Sequence, residues 1–257
     1  DGIKMFQYEL YIPDKNHSDL NGRVSWTITN LSKINDHATH VAGILVGNGT
    51  LNSNYTGIAP KATLWSDIVD IAGYDEEDDI IADYVAGIDV KDSEIASNSW
   101  GVPVKNILTS NNKDDQCPYY GDYESMAFFF DKVISGVNFS YNSIPIVFSN
   151  GNERNHTINP CGEYNPNYPY NTTTTPATAK NVISVGNIIF NNNTIDKIAN
   201  TSSFGPTDDG RTKPELVAIG NVVSTGYSQS YLYGSGTSFA APHVSGTIAL
   251  MLEQWNN

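Results

Sequence analysis

The chain of 257 residues carries 28 acidic side chains against 14 Lys and Arg, which gives a formal net charge of −14 and a pI near 4.5. This charge excludes nucleic acid as a partner, because phosphate binding needs clustered cations, and no apolar run reaches the length of a bilayer span. Apolar residues make up 39% of the chain, enough for the core of one large domain or two small ones.

Apolar strands and amphipathic helices alternate along the chain. We predict strands at 62–69, 94–100, 144–149 and 181–186, and helices at 78–90 and 124–137. Strands separated by helices imply right-handed crossovers, so we expect an α/β fold with a mostly parallel central sheet covered on both faces. The stretch 150–178, rich in Asn, Pro, Thr and Tyr, is interpreted as surface loops rather than as a domain boundary.

An acidic cluster precedes the first predicted helix and comprises Asp75, Glu76, Glu77, Asp78 and Asp79. Carboxylates at a helix N-terminus are stabilised by the helix dipole, which is one interpretation of the cluster. A structural calcium site is the alternative, because hard cations prefer several carboxylates. The spacing matches no EF-hand loop.

The two cysteines, Cys117 and Cys161, each lie in a loop that follows a predicted strand. The sequence alone allows either two thiols or one disulfide. Loops after neighbouring parallel strands emerge at the same end of a sheet, so we predict a disulfide with a stabilising rather than a catalytic role.

Potential N-glycosylation triplets are frequent, and the first residue is not Met. With no signal peptide visible, we expect a mature or excised piece of a secreted or lumenal protein. The triplets begin at Asn16, Asn30, Asn48, Asn54, Asn138, Asn155, Asn171, Asn192 and Asn200.

Ser238 lies within GSGTSFAAPHVSG (234–246), between a glycine-rich turn and an apolar run that continues to Leu252. The small residues would let a helix that begins at Ser238 pack closely, and Pro242 fits its first turn. Ser238 either caps this helix or is a nucleophile placed where free N–H groups and the positive end of the dipole meet the reacting centre.

His37 and His40 are three residues apart in DHATHVAGIL (36–45). Three interpretations stay open from these residues alone: a metal pair on one helix face, a buried pair with satisfied hydrogen bonds, or a general base at a helix start. No third metal ligand follows at a suitable spacing.

Two long segments resemble those of a known family. HATHVAG (37–43) and GTSFAAPHVSG (236–246) resemble the H-G-T-H-V-A-G and G-T-S-M-A-A-P-H-V-A-G segments of the subtilisin-like serine proteases, or subtilases, in the same order. The resemblance implies that His37 is the general base and Ser238 the nucleophile. It also implies a three-layer α/β sandwich, polypeptide substrates and no cofactor for catalysis, with structural calcium and a propeptide or inhibitor as further candidates.

Further segments extend the resemblance over nearly the whole chain. SNGNE (149–153) resembles the family's A-A-G-N-E segment, which makes Asn152 an oxyanion donor and places Glu153 at the rim of the pocket for the residue before the cut. SNSWGVP (97–103) resembles the S-x-G-x-P strand, whose Ser99, Trp100 and Gly101 would pair with an extended substrate. PATAKNVISVG (176–186) and the stretch 202–220 match structural segments of the family.

Three departures from the family pattern stand out. Ala38 replaces the usual glycine after the base, and Ile219 stands where proline is usual; we expect both to be tolerated. The family's triad aspartate opens a D-x-G segment at the end of its first strand. Aligning Gly2 with the glycine of that segment puts the aspartate just upstream of residue 1, with Asp1 as a poor substitute. Asp36 would point away from His37. We therefore expect residues 1–257 to be one catalytic domain trimmed at both ends.

Two other functions remain open from the sequence. A chain that lacks the triad carboxylate would behave as an inactive module that binds extended peptides or a protein partner, and a metal-dependent hydrolase would use His37 and His40. For the protease, the acidic field and Glu153 predict tolerance of large apolar or basic residues before the cut and rejection of Asp and Glu there.

Overall fold

The computed structural model describes residues 2–69, 77–102, 120–136, 143–154, 170–191 and 194–256. Among these residues, eight strands form the main sheet, in the order β2-β3-β1-β4-β5-β6-β7, with β8 also paired to β6. Every pairing in it is parallel except that of β6 with β7. The strands are β1 (Lys4–Glu9), β2 (Val24–Ser25), β3 (Thr63–Ile68), β4 (Ile95–Asn98), β5 (Ile146–Ser149), β6 (Ile183–Asn191), β7 (Thr194–Ile198) and β8 (Leu216–Ile219).

Helices cover both faces of this sheet. On one face lie α1 (Asp36–Val46) and α4 (Thr237–Asn256), and on the other lie α2 (Glu77–Val85), which continues as a π-helix (Ala86–Val90), and α3 (Ser125–Ser135). A hairpin of β9 (Asn221–Gly226) and β10 (Ser230–Ser235) packs on α1. The predicted α/β fold with a mostly parallel central sheet is therefore confirmed.

The central strand β1 shows how the layers are built. Successive side chains of a strand point to opposite faces, so Met5 packs in the core beneath α1 and α4, while Phe6 and Tyr8 join the aromatic core beneath α2 and α3. The same alternation places Gln7 and Glu9 on the α1 face. Gln7 is fully buried, and its amide N–H donates to the carbonyl of Ala38 in α1 at 3.0 Å.

Every predicted strand and helix is present, with boundaries shifted by a few residues. The predicted helix 78–90 changes to π-helical geometry at residue 86. The interpretation of 150–178 as surface loops is wrong for its described later part, because Thr172 to Thr178 are buried. The hydroxyls of Thr172 and Thr173 are hydrogen-bonded, to the backbone N–H of Phe204 and to Asn150 Nδ2, so polar composition does not imply exposure here.

The strand order creates a crevice at one place along the sheet. After β1 the chain passes to β2 and β3 on one side of it, whereas after β4, on the other side of β1, it passes to β5. At such a switch point the loops that follow the two adjacent strands, here β1 and β4, diverge and leave an opening beyond the carboxyl ends of these strands. Glu9 ends β1, and Ser99 follows β4, so both lie at this opening.

Some sequence predictions concern other parts of the chain. Cys117, Cys161 and the acidic residues 75 and 76 lie outside the described residues, as do the side chains of 77 and 78, so the disulfide and the calcium site stay predictions. Within the described ranges, no helix has the length and apolarity that a membrane span requires.

Candidate active site

His37 lies in the first turn of α1. The side chain of Asn35 caps this helix and accepts a hydrogen bond from the His37 backbone N–H at 2.7 Å. Asp36 turns away, as predicted, and its carboxylate accepts from the backbone N–H of Tyr227 at 2.7 Å. The imidazole of His37 therefore lies at the start of the helix, where its ring can contact a second element of the fold.

That other element is β1. The Nδ1 atom of His37 lies 3.5 Å from Oε2 of Glu9, a carboxylate whose side chain is only 1% exposed. The second oxygen, Oε1, accepts the backbone N–H of Ser99 at 3.0 Å. A carboxylate at Nδ1 favours the tautomer with the proton on Nδ1, which leaves the lone pair of Nε2 available as a base.

The alignment of Gly2 with the D-x-G glycine is wrong. Gly2 precedes β1, whereas the motif glycine follows the end of the family's first strand. Glu9 occupies that strand end, so Glu9-Leu10-Tyr11 stands in the place of D-x-G. The carboxylate that contacts His37 lies within the chain, and the reason for seeking it upstream of residue 1 disappears. Asp1 itself is outside the described residues.

Glu9 also changes the acidity of His37. Burial disfavours the charged imidazolium, but the hydrogen bond and the Coulombic attraction of Glu9 outweigh burial, so the pKa of His37 is raised above its ordinary value of 6.5. The pair is arranged to stabilise the positive charge that forms when His37 takes up a proton.

Ser238 is the second residue of α4, one position after the helix begins. Pro242 lies further inside this helix than the predicted first turn. Since Pro242 has no N–H, the carbonyl of Ser238 lacks its helical donor. The hydroxyl of Ser99 supplies the replacement and donates to that carbonyl at 2.7 Å.

Ser99 thus connects both sides of the site. The Ser238 hydroxyl donates in turn to the carbonyl of Ser99 at 3.2 Å. Through these bonds and the one from its N–H to Glu9, Ser99 connects the carboxylate to the first turn of α4.

Asn152 is held in one orientation. Its Oδ1 atom accepts from the backbone N–H of Thr237 at 3.0 Å and from the hydroxyl of Thr237 at 3.2 Å. These two donors fix the amide so that its NH₂ group is the end left for other partners. Asn152 and Ser238 line the same cleft, where the NH₂ group and the helix start form an arrangement suited to a developing oxyanion.

The predicted site residues meet in a cleft of about 250 Å³. It is lined by Leu10, Tyr11, His37, Ser99, Trp100, Gly101, Ser149, Gly151, Asn152, Glu153, Thr174 and Ser238. The side chain of Trp100 does not face the cleft, because it is 3% exposed and packs against Tyr8 and Phe148 in the aromatic core. Only the backbone of Trp100 is left for substrate, whereas Gly101 and Glu153 are partly exposed.

His40 is buried in the core and is not among the residues that line the cleft. Its side chain is 2% exposed and packs on the Phe239 ring at a centroid distance of 4.3 Å. Burial, followed by the charges of His37 and His243, lowers the pKa of His40 to about 4. In the described part of the chain, no group of three His, Cys, Asp or Glu side chains could hold a metal ion.

Ala38, the first departure from the family pattern, is fully buried and is not among the cleft-lining residues. Glu9 and Tyr11 are among the site residues that the sequence interpretation missed. An available signal was the stretch MFQYE (5–9), in which apolar residues alternate with Gln7 and Glu9 and an acidic residue comes at the end.

Comparisons with known proteins identify the family of this chain. The model of the subtilase family matches residues 7–257. The chain is 27% identical over 252 residues to a thermophilic serine proteinase of Bacillus sp. (strain AK1), an alignment covering 95% of this chain and 51% of that protein. It is 26% identical to the serine protease AprX of Bacillus subtilis (strain 168), over 93% of this chain and 54% of that protein. The chain thus spans about half the length of these curated relatives.

Solved structures show the same fold. The prenylagaramide maturation protease PagA matches with a TM-score of 0.64 at 21% identity, over 97% of this chain and 75% of that one. The S41 psychrophilic protease matches with the same TM-score and identity, over 99% and 78%. With a family match over nearly its whole length and this fold, the chain belongs to the subtilase family of serine proteases.

Proposed function

We propose that this chain is a serine endopeptidase domain that uses Ser238 as nucleophile, His37 as general base and Glu9 as the carboxylate that orients His37. The observation that carries the proposal is the 3.5 Å contact between His37 and the buried Glu9, in a protein where His37, Ser238 and Asn152 line one cleft. Glutamate replaces the aspartate of the family pattern, and its longer side chain reaches His37 from the end of β1.

The reaction follows from these roles. Ser238 Oγ attacks the scissile carbonyl carbon while its proton passes to Nε2 of His37. The negative charge on the carbonyl oxygen is received by the Asn152 amide and the Ser238 backbone N–H. Collapse breaks the peptide C–N bond, and His37 gives its proton to the leaving amine. Water, deprotonated by His37, then hydrolyses the acyl-enzyme and frees Ser238.

Extended polypeptides are the substrates that fit this cleft. Within the described ranges, the backbone N–H and C=O of Gly101 have no hydrogen-bond partner, so they are available to pair with a peptide strand. Glu153 lines the same cleft, and the chain is strongly acidic. We expect large apolar or basic residues before the cut to be accepted and acidic ones to be rejected, by about tenfold or less.

Covalent labelling tests the proposal directly. A fluorophosphonate probe should modify the protein at Ser238, and Ser238→Ala should abolish that label. A label that persists in Ser238→Ala would remove Ser238 from its role. A folded, unlabelled wild type that still binds peptides would instead support the inactive binding module.

The remaining expectations also stand as proposals. The nine glycosylation triplets support a secreted or lumenal location, which an endoglycosidase-sensitive shift of the protein made in its native host would test. A propeptide or inhibitor would occupy the same cleft, and structural calcium would be detected as a change in thermal stability on adding a chelator.

A further inference from the structure

Tyr11 is the one large aromatic side chain that the described cleft leaves substantially exposed. It is 40% exposed, whereas Trp100, the other large aromatic residue of the lining, is buried. Its hydroxyl and ring make no hydrogen bond or ring contact with any described residue. Tyr11 also stands where the D-x-G pattern has glycine, so it adds a ring to a position at which a side chain is normally missing.

The order β1-β4-β5 in the sheet places the Ser99–Gly101 segment, which follows β4, between the lining residues that follow β1 and those that follow β5, so the cleft has two walls. One wall comprises Gly151, Glu153 and Thr174, next to the oxyanion donor Asn152. The other comprises Leu10, Tyr11 and His37. Leu10 turns partly into the aromatic core, so Tyr11 forms the accessible part of this second wall.

An extended peptide presents successive side chains to opposite sides. The resemblance to subtilases assigns Glu153 to the pocket for the side chain before the cut, so with the backbone paired to Gly101 and the scissile carbonyl at Ser238 that side chain faces the wall with Glu153. The preceding side chain then faces the opposite wall, beside His37. A tyrosine ring there offers an apolar surface with one polar tip.

We propose that Tyr11 is a specificity-determining residue that selects an aromatic or branched aliphatic side chain at the second position before the cut. The inference rests on the proposed endopeptidase function and adds a second recognition position to it. Ring contacts of this kind correspond to a discrimination of roughly two- to tenfold. Because substrate and transition state make the same contact, the preference belongs mainly in KM rather than in kcat.

The test uses four peptide anilides, Ala-Ala-X-Phe, that differ only in X, with Phe, Leu, Gly or Asp at that position. Wild type should cleave the Phe and Leu peptides with a kcat/KM roughly tenfold above that for Gly. Tyr11→Ala should reduce this ratio to about one- to twofold, chiefly through KM, and Tyr11→Phe should keep it. Tyr233→Ala, which removes a 66% exposed tyrosine outside the cleft, is the matched control and should keep the ratio.

The comparison separates failure of this inference from failure of the proposed function. The ratio is measured within each variant, so a smaller folded fraction cancels. If the fluorophosphonate labels Ser238 and the wild type cleaves, but Tyr11→Ala keeps the full ratio, Tyr11 does not select substrate and the endopeptidase remains. If the wild type is neither labelled nor active on any of the four peptides, the proposed function fails and the selection by Tyr11 fails with it.

Discussion

Replacing Glu9 by glutamine changes which nitrogen of His37 carries the proton. In the native site, Glu9 Oε1 accepts from Ser99 N–H at 3.0 Å and Oε2 lies 3.5 Å from His37 Nδ1. An introduced amide must keep its oxygen on Ser99, because the backbone N–H needs an acceptor. Its NH₂ group then faces Nδ1, and since two donors cannot face each other, the proton of His37 moves to Nε2.

We expect Glu9→Gln to lower kcat by a factor of about 10⁴, the effect found when a triad aspartate is replaced by its amide. This corresponds to about 5 kcal/mol of transition-state stabilisation. The pKa of His37 should fall as well. Glu9 raises it and burial lowers it, so only the lowering effect of burial is left in the variant. His37 must be neutral to act as base, so the acid limb of activity moves from above pH 6.5 to below it.

The assay is kcat/KM for a peptide anilide between pH 4 and 9, with the thermal midpoint of each variant as a check of folding. Glu9→Asp is the matched control: it keeps the charge but is one methylene shorter, so it should fall between the wild type and Glu9→Gln. A folded Glu9→Gln variant within tenfold of wild type, with an unmoved acid limb, would show that Glu9 does not orient His37.

Three further changes have defined outcomes. Ser99→Ala removes the donor to the Ser238 carbonyl and should lower the free energy of unfolding by roughly 1–3 kcal/mol in urea titration, whereas Ser135→Ala, at the exposed end of α3, should cost under about 1 kcal/mol. Because the pKa of His40 is lowered in the folded protein, the unfolded chain protonates His40 at a higher pH than the folded one does. The free energy of unfolding should therefore fall as pH drops from 6.5 towards 4, by roughly 3 kcal/mol in total. His40→Gln should reduce this pH dependence, and an unchanged dependence would contradict its assignment to His40. Glu153→Gln should weaken the preference for basic over apolar residues before the cut by about tenfold or less at low salt, and by less at high salt, in a peptide-library profile.

The sequence alone was sufficient for features encoded by residues close together in the chain. The segment around His37 places the histidine at a helix start through local capping by Asn35, and the segment around Ser238 begins α4 after a glycine-rich turn. The alternation of apolar strands and helices predicted the parallel sheet, because each element carries its own hydrophobic period.

The tertiary structure decided which distant residues meet. Glu9 lies 28 positions before His37 in a strand with no motif of its own, and it contacts the histidine only because β1 is placed between β3 and β4 with Glu9 on the α1 face. Trp100 fills the aromatic core instead of the cleft, and Thr172–Thr178 are buried despite their polar composition. In each case burial depends on neighbours supplied by other strands, which local sequence periodicity does not encode.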